Sequence, residues 1–170
     1  YISMQKDFNT ALLSTNNYVG QTADNFDRLA ESIAQKSGSS FAEAARGMTA
    51  VAASGKISAK QFEEISVIAV KMQRTVGTAA EDTIASYAEL AKDPVATLEK
   101  LNQTQRFLTV EQYKRVKALE DEGRAQEAAS EAIKLFMANQ SQMAANIESA
   151  RGPALKLWDD LTTKISNATT

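Results

Sequence analysis

Adjacent acidic side chains are the residues of this sequence whose types come closest to a catalytic site. The pairs are Glu63–Glu64, Glu81–Asp82 and Asp159–Asp160. Neighbouring residues on a helix point about 100° apart, so the two carboxylates of a pair do not face one substrate. Glycoside cleavage needs two carboxyl groups across a cleft. That arrangement stays open as an alternative, because sequence spacing does not place distant helices.

The residues that most other catalytic and cofactor sites need are missing. The chain has no His and no Cys, which removes His-based triads and metal sites, thiolate sites and disulfides. Neither G-x-G-x-x-G nor G-x-x-x-x-G-K-[ST] occurs, and the EF-hand spacing is absent. The sequence therefore predicts a protein that is not an enzyme, with no catalytic, cofactor-binding or metal-binding residues and no cofactor.

Charge and hydropathy argue against two classes of partner. The net charge is −2, whereas nucleic acid binding depends on a basic face that releases counterions. The densest basic cluster, residues 114–117, is followed at once by the acidic run 120–122, so we expect no specific nucleic acid binding. No apolar run approaches the roughly 18 residues of a membrane span. Because the chain starts with Tyr1 rather than Met, we expect a fragment of a longer protein.

Helix-start signals recur along the chain. Four segments have the capping-box spacing, in which a hydroxyl and a Glu or Gln three residues later satisfy backbone N–H groups reciprocally. They are Ser40–Glu43, Ser58–Gln61, Thr78–Glu81 and Thr109–Gln112. Asp93–Pro94 predicts a further start, because Asp caps helices and Pro suits the first helical position. Thr22 is a further candidate cap.

Glycines mark the expected helix ends. Gly38, Gly55, Gly77 and Gly123 each follow a helical stretch and are expected to adopt the left-handed conformation. Gly152–Pro153 is expected to break the last helical region in two. Apolar residues recur with a period of about 3.6 between these marks, and strand-like alternation is absent. The prediction is an all-α fold without β-sheet, in antiparallel hairpins, with nine helices near 2–15, 23–36, 41–53, 59–75, 79–92, 94–106, 110–122, 124–149 and 153–168.

Three segments share a weak repeat. Each has a capping residue, an aromatic residue four positions later and an aliphatic residue three after that, starting at Thr22, Ser58 and Thr109. Each helix then reaches a Gly and a second helix. Three related helical hairpins would give this pattern. Any amphipathic hairpin with good caps would give it as well, so both interpretations stay open.

The C-terminal segment differs from the rest. We expect a helical-hairpin domain over residues 1–150 and a C-terminal amphipathic helix over residues 151–170 that leads into further sequence. Its apolar face carries a possible interface, made of Leu155, Trp158, Leu161 and Ile165. The single Trp either anchors the helix to the body or forms an oligomer contact, since aromatic residues are enriched at interfaces.

Several short motifs occur in order along the chain, and the most specific are Ser54–Ile57, Gln61–Phe62, Met72–Gln73, Asp93–Val95 and Phe107–Thr109. This series resembles the tail tape-measure proteins of lambda-like long-tailed phages and prophages. The resemblance covers roughly residues 8–145.

The resemblance implies a long helical protein inside the tail tube, in several copies, whose length sets tail length. It implies the following partners: other copies of itself, the tail tube, tail assembly chaperones, and a host envelope protein or membrane during genome ejection. The locations would be the lumen of the virion tail, the host cytoplasm during assembly and the host envelope during ejection. No catalytic residues carry over.

Two further questions about the function stay open. A helical-repeat module that binds a protein or peptide would show a concave groove lined by exposed aromatic residues. A stretched ruler would require the hairpins to open, since 170 residues in one helix would reach about 255 Å.

Overall fold

The described part of the chain folds into eight α-helices joined by short loops in a computed structural model. The structure describes residues 1–168, except for the side chains of residues 153–155 and 159. No strand occurs in this part of the chain, which confirms the all-α prediction. The helices are α1 (Ile2–Ser14), α2 (Phe26–Ser37), α3 (Phe41–Ser54), α4 (Phe62–Thr75), α5 (Ala80–Lys92), α6 (Pro94–Gln105), α7 (Val110–Asp121) and α8 (Ala125–Ala168).

Several helix ends form as their sequences predict. The Ser40 hydroxyl accepts a hydrogen bond from the Glu43 N–H at 3.1 Å. Thr109 and Gln112 form a complete capping box, with bonds of 3.1 and 3.0 Å. All four glycines predicted to end helices have positive φ, between 64° and 83°. Residues other than glycine adopt this conformation only at a cost, so these positions stop each helix and let the chain turn back.

Other predicted caps do not form, for two reasons. Helix α5 begins at Ala80, so Thr78 lies outside its first turn. Helix α4 is preceded by a short 3-10 turn, in which the Gln61 N–H bonds to the Ser58 carbonyl at 3.1 Å. That N–H is then engaged, and the Ser58 hydroxyl donates to the Gln61 side chain instead. Thr22 and Asp93 precede helical turns as predicted, but neither side chain caps.

The predicted break at Gly152–Pro153 is wrong, because the last two predicted helices are one helix of 44 residues. A glycine adopts helical φ and ψ as readily as left-handed ones, and Gly152 does not have the positive φ of the helix-ending glycines. Pro153 removes one backbone N–H. The carbonyl left without that donor belongs to Ser149, which is exposed, so water can satisfy it.

A single contiguous core joins the helices from Phe8 on α1 to Phe136 on α8. Phe8 packs between two other aromatic rings, with centroids 5.7 Å from Phe26 and 6.4 Å from Phe62. In the C-terminal half, Phe136 lies 5.3 Å from Tyr87 and 5.8 Å from Phe107. The buried part of α8 therefore belongs to the same core as α1. A domain boundary at residue 150 stays a prediction.

Two of the three predicted repeats share one backbone geometry. Thr22 and Ser58 are extended, a 3-10 turn follows each, and Phe26 and Phe62 then open their helices with φ of −52° and −55°. Both phenylalanines are fully buried. The third segment departs from this pattern, because α7 begins directly after its capping box without a 3-10 turn.

Helices α3 and α4 approach closely at Gly47. A Cβ atom added there would lie 2.4 Å from Cγ2 of Val70, which is itself buried. A methyl group at this position must push the two helices apart or force Val70 out of its rotamer. The absence of a side chain at Gly47 thus sets the spacing of this helix pair.

We expect Gly47→Ala to lower the free energy of unfolding by about 1–3 kcal/mol, because overpacking a filled contact strains both helices. Urea denaturation followed by circular dichroism measures the change. The matched control is Gly152→Ala, whose added Cβ meets no atom within 4 Å and which should leave stability unchanged or raise it. The double variant Gly47→Ala/Val70→Ala should be less strained than Gly47→Ala alone at this contact. Equal stability of the Gly47→Ala variant and the unmodified chain would refute the close contact.

Candidate partner-binding surface

The first half of α8 packs against α4, α5, α6 and α7. Ala132 and Phe136 on this face are buried. In the same interface the Tyr87 hydroxyl donates a hydrogen bond of 2.6 Å to the Gln140 side-chain oxygen. Burial raises the pKa of the Tyr87 phenol well above its ordinary value, so the phenol remains a donor throughout the neutral range. This buried polar contact fixes how α8 lies against the body.

Beyond Ile147, α8 leaves the body of the protein. Every residue from 148 to 168 whose side chain is described is exposed. We call this segment the arm. Its large apolar side chains have exposed fractions between 50% and 71%, and they are Leu157, Trp158, Leu161 and Ile165.

Three of the four predicted interface residues are described, and all three lie on the exposed arm: Trp158, Leu161 and Ile165. Trp158 is 67% exposed, so it does not anchor the helix to the body in this structure. The side chain of Leu155 lies outside the described residues. Sequence reasoning missed Leu157, although its position next to Trp158 could have indicated it.

The apolar face of the arm continues the face by which α8 packs on the body. Eighteen residues are five full turns of an α-helix. Trp158 therefore lies on the same side of α8 as buried Gln140, and Leu161 on the same side as Met143, which packs against the core. The predicted break at Gly152–Pro153 would have left Met143 free to lie on a different face from the arm stripe. Because the helix is continuous, the apolar stripe of its buried half and the apolar stripe of the arm form one face.

A groove of about 960 Å³ lies between α3 and α5. Its walls carry mainly small side chains, and its one aromatic residue is Tyr18, which is 54% exposed. Charged side chains of both signs also line the groove, and they are Lys56, Glu81, Glu89 and Lys92. A repeat module that binds peptides would present a groove lined by aromatic residues. This groove does not have that lining.

One of the paired carboxylates, Glu63, takes part in a surface ion pair with Lys36. Glu63 accepts hydrogen bonds from Ser32 and Lys36. The bond from Ser32 and the charge of Lys36 hold the pKa of this carboxyl below its ordinary value, so it acts as a surface ion-pair partner. Among the side chains that the structure describes, no group of three or more acidic residues could hold a metal ion. Among the described helices, none has the length and apolar character needed to cross a membrane.

The comparison with known proteins identifies the family. The family model for the prophage tail length tape measure protein matches residues 1–117. The chain belongs to this tape measure family. The match covers α1 to α6 and most of α7, and the arm lies outside it. The resemblance found in the short motifs is thereby confirmed, and the family places the chain among structural proteins of phage tails.

Two relatives align along almost the whole chain. A tape measure protein of Pseudomonas phage PAJU2 is 23% identical over 161 residues, which are 95% of this chain and 17% of that protein. A tape measure protein of Escherichia phage N15 is 28% identical over 168 residues, covering 92% of this chain and 20% of that protein. The chain thus spans a fifth or less of the length of these relatives. No solved structure matches it.

We expect Tyr87→Phe to destabilise the tape measure chain by about 1–3 kcal/mol, because Gln140 would keep a buried oxygen without its donor. Thermal or urea denaturation measures the loss. Tyr18→Phe is the matched control, since Tyr18 lies at the surface and should show little change. If Tyr87→Phe and Tyr18→Phe have equal stability, the Tyr87–Gln140 bond does not hold α8 in place.

Proposed function

We propose that the chain is a segment of a longer tail tape measure protein whose length sets the length of the phage tail. The protein lies in the lumen of the tail tube during assembly and leaves it on infection to help the genome cross the host envelope. The match of residues 1–117 to the family model carries this proposal. The two phage relatives, which align over more than nine-tenths of the chain, support it.

The proposed partners are other copies of the chain, the tail tube, the tail assembly chaperones in the host cytoplasm, and a host envelope protein or membrane. The exposed apolar stripe of the arm supports protein partners, because large apolar side chains on a surface are favourable to cover. The net charge of −2 supports the expectation that this segment does not bind nucleic acid specifically.

The ruler role requires a change of shape. The longest element is α8, whose 44 residues span about 66 Å, compared with about 255 Å for the whole chain as one helix. Opening the hairpins would expose the shared core from Phe8 to Phe136. About a third of the buried apolar residues are alanine, and small side chains lose less apolar burial on opening than large ones. Contacts with other copies or with the tube would replace the lost packing.

A module that binds a peptide is the alternative function. The two matching segments at Thr22 and Ser58 agree with a repeat architecture, but the family match and the alanine-rich groove favour the tape measure. The groove is therefore not proposed as a peptide-binding site.

Duplicating the segment in the full-length gene tests the length-setting role. We expect the duplication to lengthen the tails by up to about 255 Å if the 170 added residues extend as a helix. Electron microscopy of negatively stained virions measures tail length. A duplication leaves the original copy in place, so assembly is retained.

The control is an Ala96→Ser variant of the full-length protein, at an exposed position of α6 outside the arm, which changes a side chain without changing the chain length and should leave tail length as it was. Tails of unchanged length in virions shown to contain the duplicated protein would refute the length-setting role.

A further inference from the structure

The connection between α6 and α7 differs in sequence from the other connections between helices. Eight helices are joined by seven connections, and five of these contain a glycine with positive φ: Gly20, Gly38, Gly55, Gly77 and Gly123. A sixth, between α5 and α6, consists of Asp93 followed by Pro94. Residues 106–109, between α6 and α7, include neither Gly nor Pro. This turn therefore lacks the residue types that most strongly mark helix ends.

Arg106 makes this turn in a left-handed conformation, with φ of 47° and ψ of 62°. The conformation brings the Cβ atom close to the following carbonyl oxygen, so it is unfavourable for residues other than glycine and, to a lesser degree, asparagine. In the described part of the chain, the two other such residues with positive φ are Asn16 and Asn17. Arginine, in contrast, is a good helix former. Its own preference is therefore to continue α6 rather than to end it.

Side-chain hydrogen bonds hold the turn in place. The side-chain oxygen of Asn102 accepts bonds from the backbone N–H groups of Phe107 and Leu108, at 2.8 and 3.0 Å. The capping box at the start of α7 engages two more N–H groups, those of Thr109 and Gln112. In a continuous helix, each of these four N–H groups would instead bond to the carbonyl four residues earlier. The hairpin and a straight helix thus satisfy the same donors with different acceptors.

Tertiary packing holds α7 with little apolar burial. Val116 is the one side chain of α7 that is fully buried, whereas each helix from α1 to α6 buries at least three. The ion pair between Arg115 and Glu131 joins α7 to α8 at 3.8 Å. It lies at the surface, so it adds little stability. Among these helices, α7 is therefore the one that needs least to leave the body.

We propose that the α6–α7 turn is a two-state joint. It is a hairpin in the compact chain, and it straightens into one helix over residues 94–121 when α7 leaves the body. This helix would be about 42 Å long. No Gly or Pro lies between Val95 and Glu122, so no helix-breaking residue interrupts it. Straightening is a step towards the opened form that the ruler role requires, but the joint is a property of this chain and does not rest on that role.

The apolar residues of α6 and α7 agree with a single helix. At 100° per residue, five aliphatic side chains of this stretch would fall within about 80° of one another: Leu98, Leu101, Leu108, Val116 and Leu119. One added residue in the turn would rotate the two halves of this stripe about 100° apart. The length of the turn therefore keeps the two halves in phase, as an amphipathic helix requires.

The isolated chain favours the hairpin, because straightening uncovers Val116 and separates the ring of Phe107 from that of Phe136. The left-handed conformation of Arg106 acts in the opposite direction. The two states differ widely in geometry. In the hairpin the Tyr113 hydroxyl donates a hydrogen bond to Glu99, whereas one helix would place these residues about 21 Å apart.

The distance between two spin labels tests the joint, because the chain has no natural Cys to interfere. The labels are attached at Ala96→Cys on α6 and Ala118→Cys on α7, both exposed positions. Neighbouring helices pack about 8–10 Å apart, so the hairpin gives a short distance between the labelled positions. One helix would place them about 33 Å apart. Pulsed electron paramagnetic resonance measures the population of each distance.

The variants are compared in a Val116→Ala chain, which weakens the docking of α7, at urea concentrations below global unfolding. We expect Asn102→Ala to raise the long-distance population at least about tenfold, since two N–H groups of the turn lose their acceptor in the hairpin alone. The matched control Gln103→Ala, at the next and exposed position of α6, should leave it unchanged. Adding Arg106→Gly to Asn102→Ala should lower it again at least about tenfold, because glycine favours the turn and disfavours the helix.

Three results would overturn the proposal, provided that circular dichroism shows the chains to be folded. Equal long-distance populations in Asn102→Ala and Gln103→Ala would show that Asn102 does not hold the turn. A broad distribution without a maximum near about 33 Å would show that α7 unfolds instead of joining α6. A direct change from the short distance to global unfolding in every variant would show that the joint does not open by itself.

The stability of the unlabelled chain gives an independent measure of the strain at Arg106. Arg106→Gly should raise the urea midpoint of unfolding, because glycine adopts a positive φ without a steric cost. Lys114→Gly, at an exposed helical position of α7, is the matched control and should lower the midpoint. Equal decreases in the two variants would mean that Arg106 is not strained, which would remove the basis of the joint.

The failure of the joint and the failure of the proposed function are distinguishable, because the joint is measured in the isolated chain and length setting in virions. A hairpin that never straightens, together with tails that lengthen with the duplicated segment, would refute the joint alone. A joint that straightens, together with tails of constant length, would refute length setting alone.

Discussion

The packing of one long helix, α8, against four others is the constraint on which the rest of the structure depends. A helix with an apolar stripe is stable in water only where that stripe is covered. Over its first half α8 is covered by α4 to α7, with Phe136 among aromatic rings and Gln140 bonded to Tyr87. This contact draws the C-terminal hairpins into the same core as α1 to α3.

The same stripe also explains why large apolar side chains are exposed on the arm. Because α8 does not stop where the body stops, its apolar face continues into solvent as the arm, in phase with the buried half. One helical face is thus buried against the body up to about Ile147 and exposed beyond it.

The compact fold conflicts with the proposed ruler role both in shape and in the free energy needed to open it. Capped helices and left-handed glycines such as Gly38 and Gly55 favour hairpins, while an extended tape measure must straighten them. At Gly152, by contrast, the helix does not end but continues through the glycine. Glycine is compatible with both conformations, so the turns of the compact form do not by themselves prevent an extended one.

The sequence by itself determined the all-α class, most of the helices and the family, because hydroxyl caps, glycine stops and apolar periodicity act within a few residues of one another. Thr109 and Gln112 formed the predicted box for this reason. Only the structure showed that Gly152–Pro153 does not break α8, because glycine is compatible with both a helix and a turn and the freed Ser149 carbonyl belongs to an exposed residue. It alone placed Trp158 away from the body and brought α3 beside α5 to form the groove. These relations join residues distant in the chain, and local sequence signals do not contain the distances between helices.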